Sequence, residues 1–333
     1  MLVGPQTSGR RAERWKGLEI VCPALVTMSH SPLMGYTEPA GEARRRVDAA
    51  FETARGFIAR FDPDLVVLFG PDHYNGFFYD IMPPFCVGAA AESIGDYDTP
   101  AGDLSVDHEA AVALTQAALD AGVDVALSER MYVDHGFAQP LQLLFGGLDN
   151  VPVVPVFINC VAEPLGPPRR SRLLGEALGG AVASAGRRVV FLGSGGLSHD
   201  PPVPTLAGAT PEVTEQLIGA GRSLTPEQRA ARQMRVIRAG RDYAAGVSTI
   251  QPLNPEWDRH VLAVLAAADF ETVDGWSTDW FTEQAGHSAH EARTSIAAYA
   301  ALAATGPYTV ASSFYEPIPD WIAGFAVTTA QPA

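Results

Sequence analysis

Apolar positions along this chain fall into short unbroken runs separated by amphipathic stretches. Leu65–Phe69 (LVVLF), Val151–Ile158 (VPVVPVFI) and Val189–Leu192 (VVFL) are runs of the kind that form strands buried on both faces, as in a parallel sheet. Leu18–Met28 (LEIVCPALVTM) predicts a first strand, with Pro23 marking a bulge or a late start. Gly41–Phe61 has a different rhythm. Val47, Phe51, Ala54, Ile58 and Phe61 recur at i, i+4, i+7, i+11 and i+14 with Arg44, Arg45, Glu52 and Arg55 between them, which is the apolar stripe of an amphipathic helix. Further helices are predicted over 105–121, 139–145 and 171–185, and a short strand over 123–127.

Strand, helix, strand at this length is a βαβ unit, whose handedness makes its strands parallel and puts their carboxyl ends on one edge of the sheet. That edge is where open α/β sheets build their sites. The first run ends in Ser29-His30-Ser31-Pro32 and the second in Gly70-Pro71-Asp72-His73, so topology alone can bring His30 and His73 side by side. The run at 189–192 leads through a glycine turn to His199, and Tyr132–Phe137 presents a second Asp-His pair, Asp134-His135, in a loop.

The last third is helical in pattern: 225–245 is charged, 255–268 apolar, and 288–304 helical again. No Pro/Ser-rich linker precedes it, so it reads as a helical layer on the same sheet. The expected architecture is a single α/β domain over 18–333, with a mostly parallel central sheet flanked by helices. Residues 1–17, polar and without an apolar core, read as a disordered extension. In the final helix Ser288 and Glu291 match a capping box, while Glu291 would equally serve as a metal-binding carboxylate. His287 and His290 are open between roles; His108 and His260 read as structural.

The turn Gly193-Ser194-Gly195-Gly196-Leu197-Ser198-His199 lacks the Lys-Ser/Thr of a phosphate loop, the spacing of a dinucleotide fingerprint and the frame of a nucleophile elbow. Its glycines instead permit a tight turn beneath His199. With 333 residues, 47% of them hydrophobic, the chain can bury a large core, and no apolar run reaches the roughly 18 residues of a membrane span. Cys22, Cys86 and Cys160 are odd in number and lie in apolar runs, which fits core thiols in a cytoplasmic protein rather than a disulfide framework or a CxxC metal site. The net charge of -15 disfavours nucleic acid and anionic membranes as partners, and an anionic substrate would need a locally basic pocket.

Four histidines at or near strand ends, His30, His73, His135 and His199, call for a chemistry. Two imidazoles and a carboxylate make the facial triad of non-haem Fe(II); three imidazoles and water make a hydrolytic zinc site. The count permits both. Asp72 and Asp134 are placed to orient imidazoles or to cap loops, Tyr74 and Phe137 are candidates to line an aromatic slot, and Arg130, Arg169 and Arg170 are candidate partners for a substrate carboxylate.

The blocks SHSPLMGY (29–36), VVLFGPDHYNGFFYDIMPPFC (66–86), VDHGFAQPL (133–141), FLGSGGLSHDPPVP (191–204), PLNPEWD (252–258) and PIPDWIAGF (317–325) together resemble the type III extradiol dioxygenases. The resemblance implies a fold similar to the catalytic chain of protocatechuate 4,5-dioxygenase. It implies Fe(II) held by His30, His73 and Glu291, with His135 and His199 as the acid/base pair. It further implies a catechol and dioxygen as substrates, the catechol carrying a three-carbon acid side chain, and assembly into a homo-oligomer, a homotetramer among the expected forms. Another catechol or an aminophenol is an alternative within the family; a zinc hydrolase or a non-oxygenase metal-binding relative is one outside its chemistry. Ser295 stands where relatives often have an aromatic residue four positions after the glutamate.

Overall fold

Alternate residues of the central strands face opposite cores: Val67 and Phe69 of one strand join one apolar cluster, Val66 and Leu68 the other. This two-sided burial is what an unbroken apolar run requires. A computed structural model describes residues 23–333; the extension expected at 1–17, the first part of the 18–28 run and Cys22 lie outside the described residues.

The elements run β1 (Ala24–Met28), α1 (Gly41–Phe61), β2 (Leu65–Gly70), β3 (Phe85–Gly88), β4 (Ala91–Ile94), β5 (Ala101–Asp103), α2 (His108–Asp120), β6 (Ala126–Ser128) and β7 (Met131–Val133). After them come α3 (His135–Phe145), β8 (Val153–Ile158), α4 (Arg169–Val182), β9 (Val189–Ser194), α5 (Pro211–Ile218), α6 (Pro226–Ala244), α7 (Pro255–Ala266), α8 (Phe270–Gly275), α9 (Thr278–Ala285), α10 (Ala292–Ala303), β10 (Tyr308–Ile318) and β11 (Ala323–Pro332).

Eight strands form one sheet in the order β10-β11-β1-β9-β2-β8-β3-β6, and β5-β4-β7 form a small second sheet. The pairs β1/β9, β9/β2, β2/β8 and β3/β6 are parallel. The sheet is thus mostly parallel, as expected, but mixed rather than purely parallel, because β10/β11, β11/β1 and β8/β3 run antiparallel. The long β10–β11 hairpin adds two strands to a region read as helical. Along β10 half-buried and exposed residues alternate, so no continuous apolar run announces it.

Helix α1 spans the predicted residues, burying Val47, Phe51, Ala54 and Ile58 against one face, and stops where Asp62 turns left-handed at φ 53°. Leu141 and Leu144 of α3 share that core. On the other face α4 and α10 pack closely enough that only glycine fits. A Cβ at Gly175 would stand 2.0 Å from the Ala297 carbonyl oxygen, and one at Gly179 would stand 2.1 Å from that of Ala301. Leu174, Leu178, Ile296 and Trp257 fill this second core, so α4, α7 and α10 layer onto the same sheet.

Candidate active site

Strand β9 lies between β1 and β2, parallel to both, so the residues that follow these three strands emerge together at one edge. They carry His30, His73 and His199. His135 arrives from the side: it is not in a loop but the first residue of α3, whose N-terminus is capped by the Asp134 side chain accepting from the Gly136 amide. The ring centroids of His30 lie 5.6 Å from His73 and 5.3 Å from His135, and His73 stacks on His135 at 4.4 Å. Glu291 closes the group. Its Oε1 lies 3.0 Å from His73 Nε2 and 3.2 Å from His199 Nε2, and its Oε2 lies 3.4 Å from His30 Nε2. The capping box foreseen with Ser288 does not form, because Glu291 ends a short 3-10 turn and gives its carboxylate to the histidines.

Every imidazole is held by its other nitrogen. Ser194 Oγ donates to the Gly136 carbonyl, so it accepts from His30 Nδ1 at 2.9 Å. Asp134 Oδ2 accepts from His73 Nδ1 at 3.0 Å, from the His73 amide and from Asn75. Asp96 Oδ2 accepts from His135 Nδ1, and the Leu197 carbonyl accepts from His199 Nδ1. With the proton on Nδ1, all four Nε2 atoms present toward the same centre. The glycines of the 193–196 turn permit this approach: Gly195 has φ 129°, and a Cβ there would meet the Glu291 side chain at 2.8 Å.

Burial sets the charges. It drives His30 down to about 3, leaving a neutral imidazole. Burial also opposes the Glu291 carboxylate, but His199 and His30 beside it, with hydrogen bonds from His199 and His73, outweigh that and hold it well below the usual range. His73 is raised, against burial, by Asp134 and Glu291, and His199 by Glu291.

Residues 24–326 match the family model described as "Catalytic LigB subunit of aromatic ring-opening dioxygenase". The chain is 63% identical over 307 residues, covering 92% of it and 98% of the relative, to a protein of Rhodococcus sp. named 2,3-dihydroxyphenylpropionate/2,3-dihydroxicinnamic acid 1,2-dioxygenase. Identity and coverage are the same for the protein of that name from Rhodococcus jostii (strain RHA1). A relative of that name from Mycolicibacterium gilvum (strain PYR-GCK) is 55% identical over 307 residues, 92% of this chain and 97% of its own. The chain belongs to the LigB family. It is therefore an aromatic ring-opening dioxygenase, and dioxygenases of this family depend on a metal.

The donor set fits a divalent cation. Glu291 is about 1% exposed, and a buried carboxylate facing three Nε2 atoms is a donor set of the kind that takes a divalent cation. His30, His73 and His135 also offer nitrogens within 4.8 Å of one another, as do ligand atoms of Asp96, Asp134 and His135. In the second group both carboxylates are already engaged on imidazoles, so it is a supporting layer of the dioxygenase site. Among the described residues Nε2 of His135 is buried with no partner.

The cleft above these groups is open to solvent. Tyr97, Trp321, Ile322 and Pro202 line it, whereas Tyr74 and Phe137 do not: Tyr74 packs with Phe78 in a separate cluster, and Phe137 lies in the core against Gly70. Arg130, Arg169 and Arg170 stay away from the cleft, which is edged by Arg229, Arg232 and Arg235. Asp72 caps its own loop, accepting the amides of Asn75, Gly76 and Phe77. Of the remaining histidines, His108 is exposed beside Glu129, His260 lies near Trp276 and Trp280, His287 holds Asp200, and His290 joins Thr282 and Arg293. Sequence reasoning missed Asp96 and Ser194. Asp96 lies in a short turn, GDYD, with no periodicity to mark it.

Proposed function

We propose that this chain performs extradiol cleavage of 2,3-dihydroxyphenylpropionate and 2,3-dihydroxycinnamate with dioxygen, giving a muconic semialdehyde-type dienoate, and that it holds Fe(II) through His30, His73 and Glu291. The same reading carries a cytoplasmic setting, a role in aromatic catabolism and assembly of identical subunits. The observation that supports it most is the convergence of the Nε2 atoms of His30, His73 and His199 on one buried carboxylate with His135 stacked beside them, each imidazole fixed through Nδ1.

When bound, Fe(II) supplies Lewis acidity toward the catechol oxygens and one coordination sphere in which catechol and dioxygen meet. The remaining steps belong to the side chains. His199, its Nδ1 proton committed to the Leu197 carbonyl, takes the hydroxyl proton at Nε2. His135, anchored by Asp96, holds a proton at its otherwise unpartnered Nε2 and delivers it to the oxygen that leaves as the O–O bond breaks. Trp321, Ile322 and Pro202 give the ring apolar walls.

A three-histidine set of His30, His73 and His135 is the second reading, favoured by the closeness of those nitrogens. It leaves the buried Glu291 without a cation, which weighs against it. Metal content separates the two. His30→Ala, His73→Ala and Glu291→Ala should lose iron, while His135→Gln and His199→Gln should keep iron and lose turnover; loss of iron from His135→Gln would favour the second set.

The activity test is anaerobic loading with Fe(II), then addition of 2,3-dihydroxyphenylpropionate and air. A yellow ring-fission product with one dioxygen consumed per substrate supports the reading. Silence across a panel of catechols, with reduced iron demonstrably bound, would sink it.

A further inference from the structure

The chain carries 38 acidic residues against 23 lysines and arginines, so a cation beside the active site is an exception to be explained. Arg44, Arg46, Arg55, Arg172, Arg187, Arg188 and Arg222 each face a carboxylate within 3.0 Å and are neutralised locally. The arginines that α6 sends to the histidine cleft are not.

Arg229, Arg232, Gln233 and Val236 recur at i, i+3, i+4 and i+7, one stripe of α6, and all four line the cleft with Arg235 on the flank. The capping box of Thr225 and Gln228 sets the start of this helix, placing Arg229 just inside it. Arg232 is occupied. Its guanidinium donates to the carbonyls of His73 and Tyr74, which ties α6 to the loop bearing His73.

Arg229 is half-buried and has a single long contact, 3.5 Å to Oδ1 of Asn75, whose amide in turn donates to Asp134. Among the described residues neither Arg229 nor Arg235 faces a carboxylate within 4.0 Å. A guanidinium left in this way, beside a cleft whose other walls are Pro202, Val203, Pro204 and Val236, matches a molecule with an apolar body and an anionic end.

We propose that Arg229, supported by the charge of Arg235, receives the side-chain carboxylate of the catechol substrate. The inference rests on the ring cleavage proposed above and names the group that selects an acid-bearing catechol over a neutral one. The planar fork of Arg229 suits paired hydrogen bonds to a carboxylate, which a lysine ammonium reproduces only as a point charge. This pair also supplies the basic pocket that an anionic substrate needs on an acidic protein.

The test compares 2,3-dihydroxyphenylpropionate with 3-propylcatechol, which has the same chain length and no charge, on the iron-loaded protein. Two readouts are taken: anaerobic binding by calorimetry, and aerobic kcat/KM. For Arg229→Gln, the preference for the acid over the neutral catechol should fall by about 10- to 100-fold in both readouts, the size of one lost charge-assisted contact. Arg229→Lys should recover part of it, and Arg130→Gln, on a distant surface, should keep the wild-type ratio. An unchanged ratio in Arg229→Gln, or an equal loss for both catechols, overturns the assignment and leaves the ring-cleavage reading standing. Wild-type protein that turns over neither catechol overturns the ring-cleavage reading itself and this assignment with it.

Discussion

Asp96 grips His135 twice, its Oδ2 2.6 Å from the ring Nδ1 and its Oδ1 2.7 Å from the backbone amide. The pair fixes which nitrogen of His135 faces the substrate. Asp96→Asn keeps the shape but removes the carboxylate that accepts from Nδ1, so the ring is no longer supported with a proton on each nitrogen. Turnover should then fall on the order of 100-fold with iron content unchanged, as expected when one acid/base group is lost. Loss of iron in parallel would show instead that Asp96 supports the metal.

Asp134 does for His73 what Asp96 does for His135, accepting from its ring and its amide while capping α3. Asp134→Asn should weaken metal retention by roughly 10- to 100-fold, because the carboxylate both orients His73 and raises its basicity. Competition with a chelator under anaerobic conditions measures this directly.

The loop that carries His199 is pinned from beneath by Asp258, which accepts from the Ser198 amide at 2.7 Å, the Ser198 hydroxyl at 2.8 Å and the Tyr315 hydroxyl at 2.7 Å. Asp258→Ala strands these buried donors and should cost about 2–4 kcal/mol in urea unfolding. Tyr315→Phe removes one of the three and should cost about 1 kcal/mol.

Burial raises the Asp258 pKa despite those hydrogen bonds. The folded chain therefore holds this proton more tightly than the unfolded chain does. The contribution to stability is full below the unfolded value and is lost as pH rises through the folded one. Tyr315→Phe takes away a donor that favours the charged form, so the decline should extend to higher pH. Unfolding midpoints measured across the acid range would show the shift; an unchanged profile would remove Asp258 as its source.

What could be read without the structure was what local pattern encodes. The five residues Leu65–Phe69 and the stripe from Val47 to Ile58 announce a buried strand and a one-sided helix, and both formed where expected. The convergence of His30 and His73 also followed from topology, although β9 separates their strands and places His199 between them in the sheet order. Long-range pairing was not legible. Strand β11 antiparallel to β1, β3 antiparallel to β8 and the hydrogen bond from His135 to Asp96 depend on partners far along the chain, which no short window contains. The arginines of α6 were visible as charge, but the direction they face is set by how the helix docks.

The contact of α4 with α10 predicts a sharp steric response. Gly175→Ala would push a methyl group into the Ala297 carbonyl, so it should destabilise by about 1–3 kcal/mol even though alanine is the better helix former. Gly180→Ala, on the same helix with nothing within 4 Å of the added carbon, is the matched control and should be neutral or stabilising. Denaturant midpoints for the two variants decide it.

Burial pushes the Cys86 thiol up to about 12 and raises that of Cys160 as well. The thiolate is the form that alkylates, so both should resist iodoacetamide at pH 8 in the native protein and react once urea unfolds it. Peptide mapping after labelling checks each cysteine separately.

Strand β1 is held on one side by β11, with the Thr27 and Thr328 hydroxyls 2.6 Å apart across 301 positions of sequence. A chain leaving the ribosome thus exposes His30, His73, His135 and His199 well before β11 has been synthesised to flank the strand that leads to His30. The catalytic centre becomes complete only after β11 has been made, and closing so long a loop favours slow folding. Proteolytic removal of 324–332 would accordingly disable the enzyme without touching any residue that lines the cleft.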